Sequence, residues 1–563
     1  MASARPSTPL PLAAVLLLAW WHHAGIGPAA AATAATTTTT AATTTATAAA
    51  PALPAAGSSR QDPCPRQSGP VAIGTAQWNG WGRDLDNSRY QPEPALRAVD
   101  VPKLALRWAY GYDGPAVYGQ PTVVDGRLFV TSSSGRVYSL DARTGCTYWT
   151  FDASAGVGTS ILVGELGVPK LIMPARPRWR RWSRRWRRHA HINAHIEVIK
   201  PPSAVFFGDQ AGVVYSLNAA TGALLWKTRL DAHADARVTG APSLYENRLY
   251  VPVTWSEPMV AANSGKGCCT LQGAVEALDS ATGAVVWKTD LRQVQAGAAP
   301  LTAAGTPIWS APTVDPKRGL LYVAAGNCEA IVALDLTDGK PRWFTRLAAG
   351  DARKTDEDRI FGNSPILRQL TSGRQVILAG QQAGLVYGLD PDHAGAVLWR
   401  TRVATGGEAD GVEWSPAADH RSLYVAIADV HPEQRRDRGG IAALDIATGE
   451  LRWSAPSPQP SCGSSDINCS FGQAQAVTVI PGILFAGSID GHLRAYSTID
   501  GKLVWDFDTA KTYRTVNGST AAGGPLGHGG PTIVSGMVYV NSGYGGRPGS
   551  PGHVLLAFSV GGK

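Results

Sequence analysis

The chain has 563 residues, 44% hydrophobic and 17% charged, with a formal charge of +8. That charge is local. Eight arginines and no acid fall between Arg176 and Arg188 (RPRWRRWSRRWRR), and the rest of the chain is neutral, which excludes a whole-protein nucleic-acid surface. No C-x-x-C-H stretch occurs, so a covalently attached c-type haem is not encoded.

The first element is a targeting segment. Arg5 is followed by PLPLAAVLLLAWW and then by small residues to Ala32. A basic start, a short apolar core and Ala-rich cleavage possibilities predict a signal peptide over 1–32, too short to span a bilayer comfortably. Residues 33–60 are nearly all Ala, Thr and Pro and read as a disordered linker, because they cannot bury a core. The folded domain is expected over 61–563. Export implies a periplasmic or secreted protein in an oxidising compartment. Cys462 and Cys469 could close a small loop, which leaves Cys64, Cys146 and Cys328 with their pairing open.

LALRWAY (104–110) reads as an outer strand with nothing of its own unit before it. A repeated unit follows: VYSLDARTGCTYW to Trp149, VYSLNAATGALLW to Trp226, VEALDSATGAVVW to Trp287 and IVALDLTDGKPRW to Trp343. It continues to Trp399, Trp453 and Trp505. The turn-opening residues, from Asp141 to Ser497, lie 77, 61, 56, 55, 55 and 52 residues apart. Each unit is strand, turn, strand. The Asp caps its own backbone, the Gly supplies positive φ, and a Trp ends the returning strand. A period near 55 made of short strands predicts a β-propeller whose Trp residues wedge between blades. The chain ends in VLLAFSV (554–560), an inner strand lacking a Trp partner. Pairing it with LALRWAY gives a composite blade. The fold expected is therefore an all-β, eight-bladed propeller closed by its own termini, so that no sheet edge is left at the seam.

The long first spacing holds an insertion, 174–202, which carries the Arg176–Arg188 run with Trp179, Trp182 and Trp186. It is a solvated loop or a contact for an anionic surface or partner. His189, His191 and His195 behind it read as incidental.

QWNGWGRDLDNSRYQP (77–92), RVTGAPSLYENRLYVPV, GCCTLQGAVEALD, IWSAPTVDPKRGLLYV, VEWSPAAD, FAGSIDGHLRAYSTIDGKLVWDFDT and YVNSGYGG together resemble the polyvinyl-alcohol dehydrogenases. These belong with the quinoprotein alcohol dehydrogenases, which use pyrroloquinoline quinone (PQQ) and Ca²⁺. The resemblance spans about Trp78 to Val560 and lacks the cytochrome c domain many such proteins carry. It implies an alcohol or polymer substrate and a separate cytochrome c or other electron acceptor.

It also implies a site. Cys268 and Cys269 would form a vicinal disulfide on one face of the quinone; otherwise they are a buried free pair or a structural staple. Trp309 would support the other face, or be one more core Trp. Arg237 and Thr239 would hold quinone oxygens, with Glu413 and Trp414 on another inward loop. Glu257 and Asn327 match the oxygen ligands of a hard cation. Glu329, the nearest carboxylate in the shortened GNCEAI loop, would be the base. Gln382 and Gln272 stand where basic residues are usual, and DARKTDEDRI replaces a longer, Cys-containing segment. A second reading keeps the architecture without catalysis, as a binding or assembly scaffold.

Overall fold

Asp141 opens its turn by accepting from the backbone N–H of Arg143 (3.0 Å) and Thr144 (2.9 Å). Asn218, Asp279, Asp335 and Asp445 do the same in their own repeats. This local chemistry sets the period of the whole chain. The computed structural model describes residues 64–65, 71–116, 118–166, 170–172, 197–199, 202–256, 271–296, 299–300, 307–326, 330–347, 362–404, 411–428, 439–458, 472–544 and 552–563. The expected signal peptide and linker, the Arg/Trp run and Cys462 and Cys469 lie outside them.

Eight four-stranded antiparallel sheets form the blades. From the axis outward, the first is Thr122–Val124, Arg127–Thr131, Arg136–Asp141 and Thr147–Asp152. The eighth is composite: Thr532–Val534, Met537–Ser542, Val554–Val560, and then Leu104–Gly111 from the other end of the chain. Leu104 pairs with Val560 and Gly111 with Val554, so the ring closes as expected. The insertion leaves between the innermost strand Leu162–Glu165 and the second strand Ser203–Gly208 of the second blade. It begins on a two-stranded ribbon, Lys170–Ile172 with Glu197–Ile199.

The repeat Trp residues lock neighbouring blades. Trp149, Trp226, Trp287, Trp399 and Trp453 each donate the indole N–H to a backbone carbonyl of the next blade, at 2.9 to 3.2 Å. Trp505 donates to Leu104 O on the composite blade (3.1 Å). The eighth Trp, Trp108, lies against Gly145 of the first blade. Burying each ring contributes about 2–3 kcal/mol. A second lock went unread in the sequence. The Thr two residues after Trp226, Trp287, Trp343 and Trp399 bonds the turn-glycine carbonyl of the next blade through its hydroxyl.

Residues 78–91 wind around the axis and bond the middle of the innermost strand of seven blades. Trp78 exchanges two backbone bonds with Val123, and the Asn79 side chain exchanges two with Val163. Leu85 O accepts from Val314 N, Asp86 O from Leu367 N, Ser88 O from Ala418 N and Arg89 O from Val479 N. Gln91 Nε2 donates to Ile533 O (3.2 Å). The tight winding puts Arg83, Asn87 and Arg89 in the left-handed region, at φ 75°, 52° and 53°. The third blade is skipped, and a cavity of about 280 Å³ lies there between Asn79, Arg83 and Leu244. A disulfide joins Cys64 to Cys146 in the first blade's turn, which settles two of the three cysteines left open; Cys328 lies outside the described residues.

Candidate active site

In each blade the connection from second to third strand and the connection to the next blade emerge at one end of the ring. The capped turns emerge at the other. Every candidate among the described residues belongs to the first end. Arg237 and Thr239 lie between Arg229 and Ser243, Trp309 between Asp290 and Thr313, and Glu413 and Trp414 between Arg402 and Ala417. Glu257, Cys268, Cys269, Asn327 and Glu329 lie outside the described residues. The strand ends that bracket them, Ser256 with Leu271 and Ala325 with Ala330, open at that same end.

Three of the candidates meet through one peptide. Arg237 exchanges backbone bonds with Thr254 (2.8 and 2.9 Å). Thr254 Oγ1 accepts from Ile308 N (3.1 Å) and bonds Ile308 O (3.2 Å), and Thr239 Oγ1 donates to Ile308 O (2.9 Å). Ile308 is buried, and the following Trp309 is half-buried. Gly326, next to Asn327, packs on it; a β-carbon there would lie 3.4 Å from Trp309 Cζ3.

The floor on the axis is Trp81, in the QWNGW stretch. Ala241, Ala311 and Ala476, at the entry to three innermost strands, pack on it together with Trp414. Its indole N–H donates to Ser415 Oγ (3.0 Å). Trp414 meets His528 at 4.3 Å between ring centroids, and His528 meets Trp81 at 5.2 Å, each edge-on. His528 Nδ1 donates to Tyr118 O (2.7 Å), which leaves Nε2 the acceptor. Burial, with a smaller push from Arg89, lowers the His528 pKa to about 4, so the ring is neutral near pH 7. Trp81 and His528 could have been found: neither QWNGW nor GPLGHGGP belongs to the blade repeat.

One buried donor of this aromatic cluster, Trp414 Nε1, has no partner among the described residues. An orphaned donor beside an aromatic floor is what a flat ligand carrying ring oxygens would satisfy. The residues present therefore fit a planar quinone. No group of three or more His, Cys, Asp or Glu able to hold a metal lies among the described residues. The proposed calcium ligands Glu257 and Asn327 are outside them.

A family model described as "Glucose/ethanol/alcohol dehydrogenase, beta-propeller domain" matches residues 78–168. One described as "Outer membrane protein assembly factor BamB" matches 178–385 and 382–547. The chain is 41% identical over 541 residues to the polyvinylalcohol dehydrogenase of a Pseudomonas species, covering 89% of this chain and 80% of that one. It is 36% identical over 549 residues to that of Sphingopyxis sp. (strain 113P3), covering 89% and 79%. Among solved structures, the quinohemoprotein alcohol dehydrogenase from Comamonas testosteroni superposes with a TM-score of 0.61 at 18% identity, over 87% of this chain and 81% of that one. That likeness speaks for the fold alone.

Proposed function

The chain belongs to the polyvinylalcohol dehydrogenase family, and from that premise we propose that it is a PQQ-dependent dehydrogenase that oxidises alcohols, secondary alcohols of the polyvinyl alcohol type among them, to ketones. It works in the periplasm or outside the cell and hands electrons to a separate cytochrome c or other acceptor. The observation that most supports this reading is the opening of every connection that carries a candidate residue at one end of the ring, around the Trp81 floor.

When bound, PQQ supplies the two-electron acceptor. The chain does the rest. Trp309 and the Cys268–Cys269 pair would flank the quinone's flat faces. Arg237, Thr239, Asn327, Glu413 and Trp414 satisfy polar edges, and the Trp414 indole N–H is free to donate. Glu257 and Asn327 offer hard oxygens suited to Ca²⁺. Glu329 takes the proton from the substrate hydroxyl. The Arg/Trp run between 176 and 188 gives the protein a contact for anionic surfaces.

The test adds PQQ and Ca²⁺ to the purified protein and follows alcohol-dependent dye reduction. Uptake and turnover are expected. A Glu329→Gln variant should retain the quinone's absorbance and lose about 10²- to 10⁴-fold in kcat. If the quinone is not taken up, the scaffold reading replaces this one. If it is taken up and Glu329→Gln turns over normally, Glu329 is not the base.

A further inference from the structure

Arg89 is fully buried, 0% exposed, at the hub beneath the site. Its Nε donates to Val477 O and one terminal nitrogen to Trp81 O, both at 2.7 Å. The other terminal nitrogen bonds Thr478 Oγ1 at 3.4 Å. The guanidinium lies 5.1 Å from the Trp81 ring centroid and 5.7 Å from that of Trp78. No carboxylate among the described residues bonds it. Carbonyl dipoles and two indole faces hold this charge, and burial pulls its pKa down to about 9.

A buried ion without a counter-ion is costly, and neutral side chains can satisfy carbonyls as well. The hydrogen bonds explain an anchor here; they do not explain a charge. One ring above it stand Trp81, Trp414 and His528, the floor of the candidate site. We propose that Arg89 is an electrostatic positioning residue: its unneutralised guanidinium, acting through the Trp81 floor, biases the pocket toward a polyanionic planar ligand. It touches neither substrate nor cofactor. The inference rests on the PQQ reading above, since that quinone carries three carboxylates.

The experiment titrates apo-protein with PQQ by quenching of tryptophan fluorescence and measures the midpoint potential of the bound quinone. Arg89→Met should bind about tenfold more weakly and shift the potential downward. That is the size expected of one unit charge felt across an aromatic ring at an effective dielectric near 20. Arg89→Lys should stay within about threefold of wild type. Thr478→Asp leaves the arginine in place and neutralises it, so it should reproduce the Arg89→Met loss even where Arg89→Met fails to fold. Wild-type affinity and potential in folded Arg89→Met or in Thr478→Asp would overturn the proposal and leave Arg89 a structural clamp. Failure of wild type to bind PQQ would instead overturn the reading on which it rests.

Discussion

Gly339 lies so close to the indole of Trp287 that a β-carbon on it would come within 2.4 Å of the ring's Cε3. The turn glycine is required twice, by its φ of +72° and by the ring of the preceding blade. The same pairing recurs at Gly283 with Trp226, Gly395 with Trp343 and Gly449 with Trp399. The glycine of one repeat and the tryptophan of another are thus a single contact across the blade interface. Gly339→Ala should lower stability by about 2–4 kcal/mol, a left-handed strain of about 1 kcal/mol plus overpacking. Gly319→Ala is the control: its φ is +66°, and nothing lies within 4 Å of a β-carbon there. Urea unfolding of both decides; equal losses would mean that the ring contact adds nothing.

The fold was legible because the repeat writes one contact seven times, and the two ends of the chain supplied the strands of the eighth blade. The W-x-T lock was equally visible, as WKT, WKT, WFT and WRT, but Thr in a strand carries no signal of its own. The hub was not legible. Residues 78–91 bond seven strands from seven different parts of the chain, and no local pattern encodes contacts at separations up to 442 residues. Of the site, Trp309 stood out because it falls outside the repeat. Trp81 and His528 fall outside it too, but their contact with each other, and that of Trp81 with Arg89, exists only in the closed ring.

Asp86 predicts a pH dependence. Burial, then the carboxylates of Asp84 and Asp315, raises its pKa to about 7 against the opposing pull of Arg368. Asp315 is held by Arg318 (2.6 Å) and Tyr322 (2.8 Å). Between about pH 4 and 7 the unfolded chain has lost this proton and the folded chain keeps it, so stability falls as pH rises through that window. Asp86→Asn should remove that slope. It should match wild type near pH 3.5 and exceed it by ~1–3 kcal/mol at pH 8. Urea midpoints measured from pH 4 to 8 test this, and an unchanged slope would refute it.

Thr254 predicts how Trp309 is held. Its hydroxyl is the only side-chain group among the described residues that bonds both the N–H and the carbonyl of Ile308, the residue before Trp309. Thr239 shares the carbonyl but not the N–H. Thr254→Val keeps the shape and strips both bonds, leaving a buried N–H unmet at about 1–3 kcal/mol. Thr239→Val leaves Ile308 N bonded to Thr254 and should cost less in stability. The two effects on cofactor should separate as well. Thr254→Val should let the Trp309 ring wander and weaken PQQ binding about tenfold, since a displacement near 1 Å at a positioned group is expensive. Thr254→Ser, which restores the hydroxyl, should recover most of the loss. The ¹⁹F line of Trp309 in 5-fluorotryptophan-labelled apo-protein, assigned by its loss in Trp309→Phe, gives a readout independent of turnover, and a line as sharp and unshifted in Thr254→Val as in wild type would show that the peptide is pinned by something else.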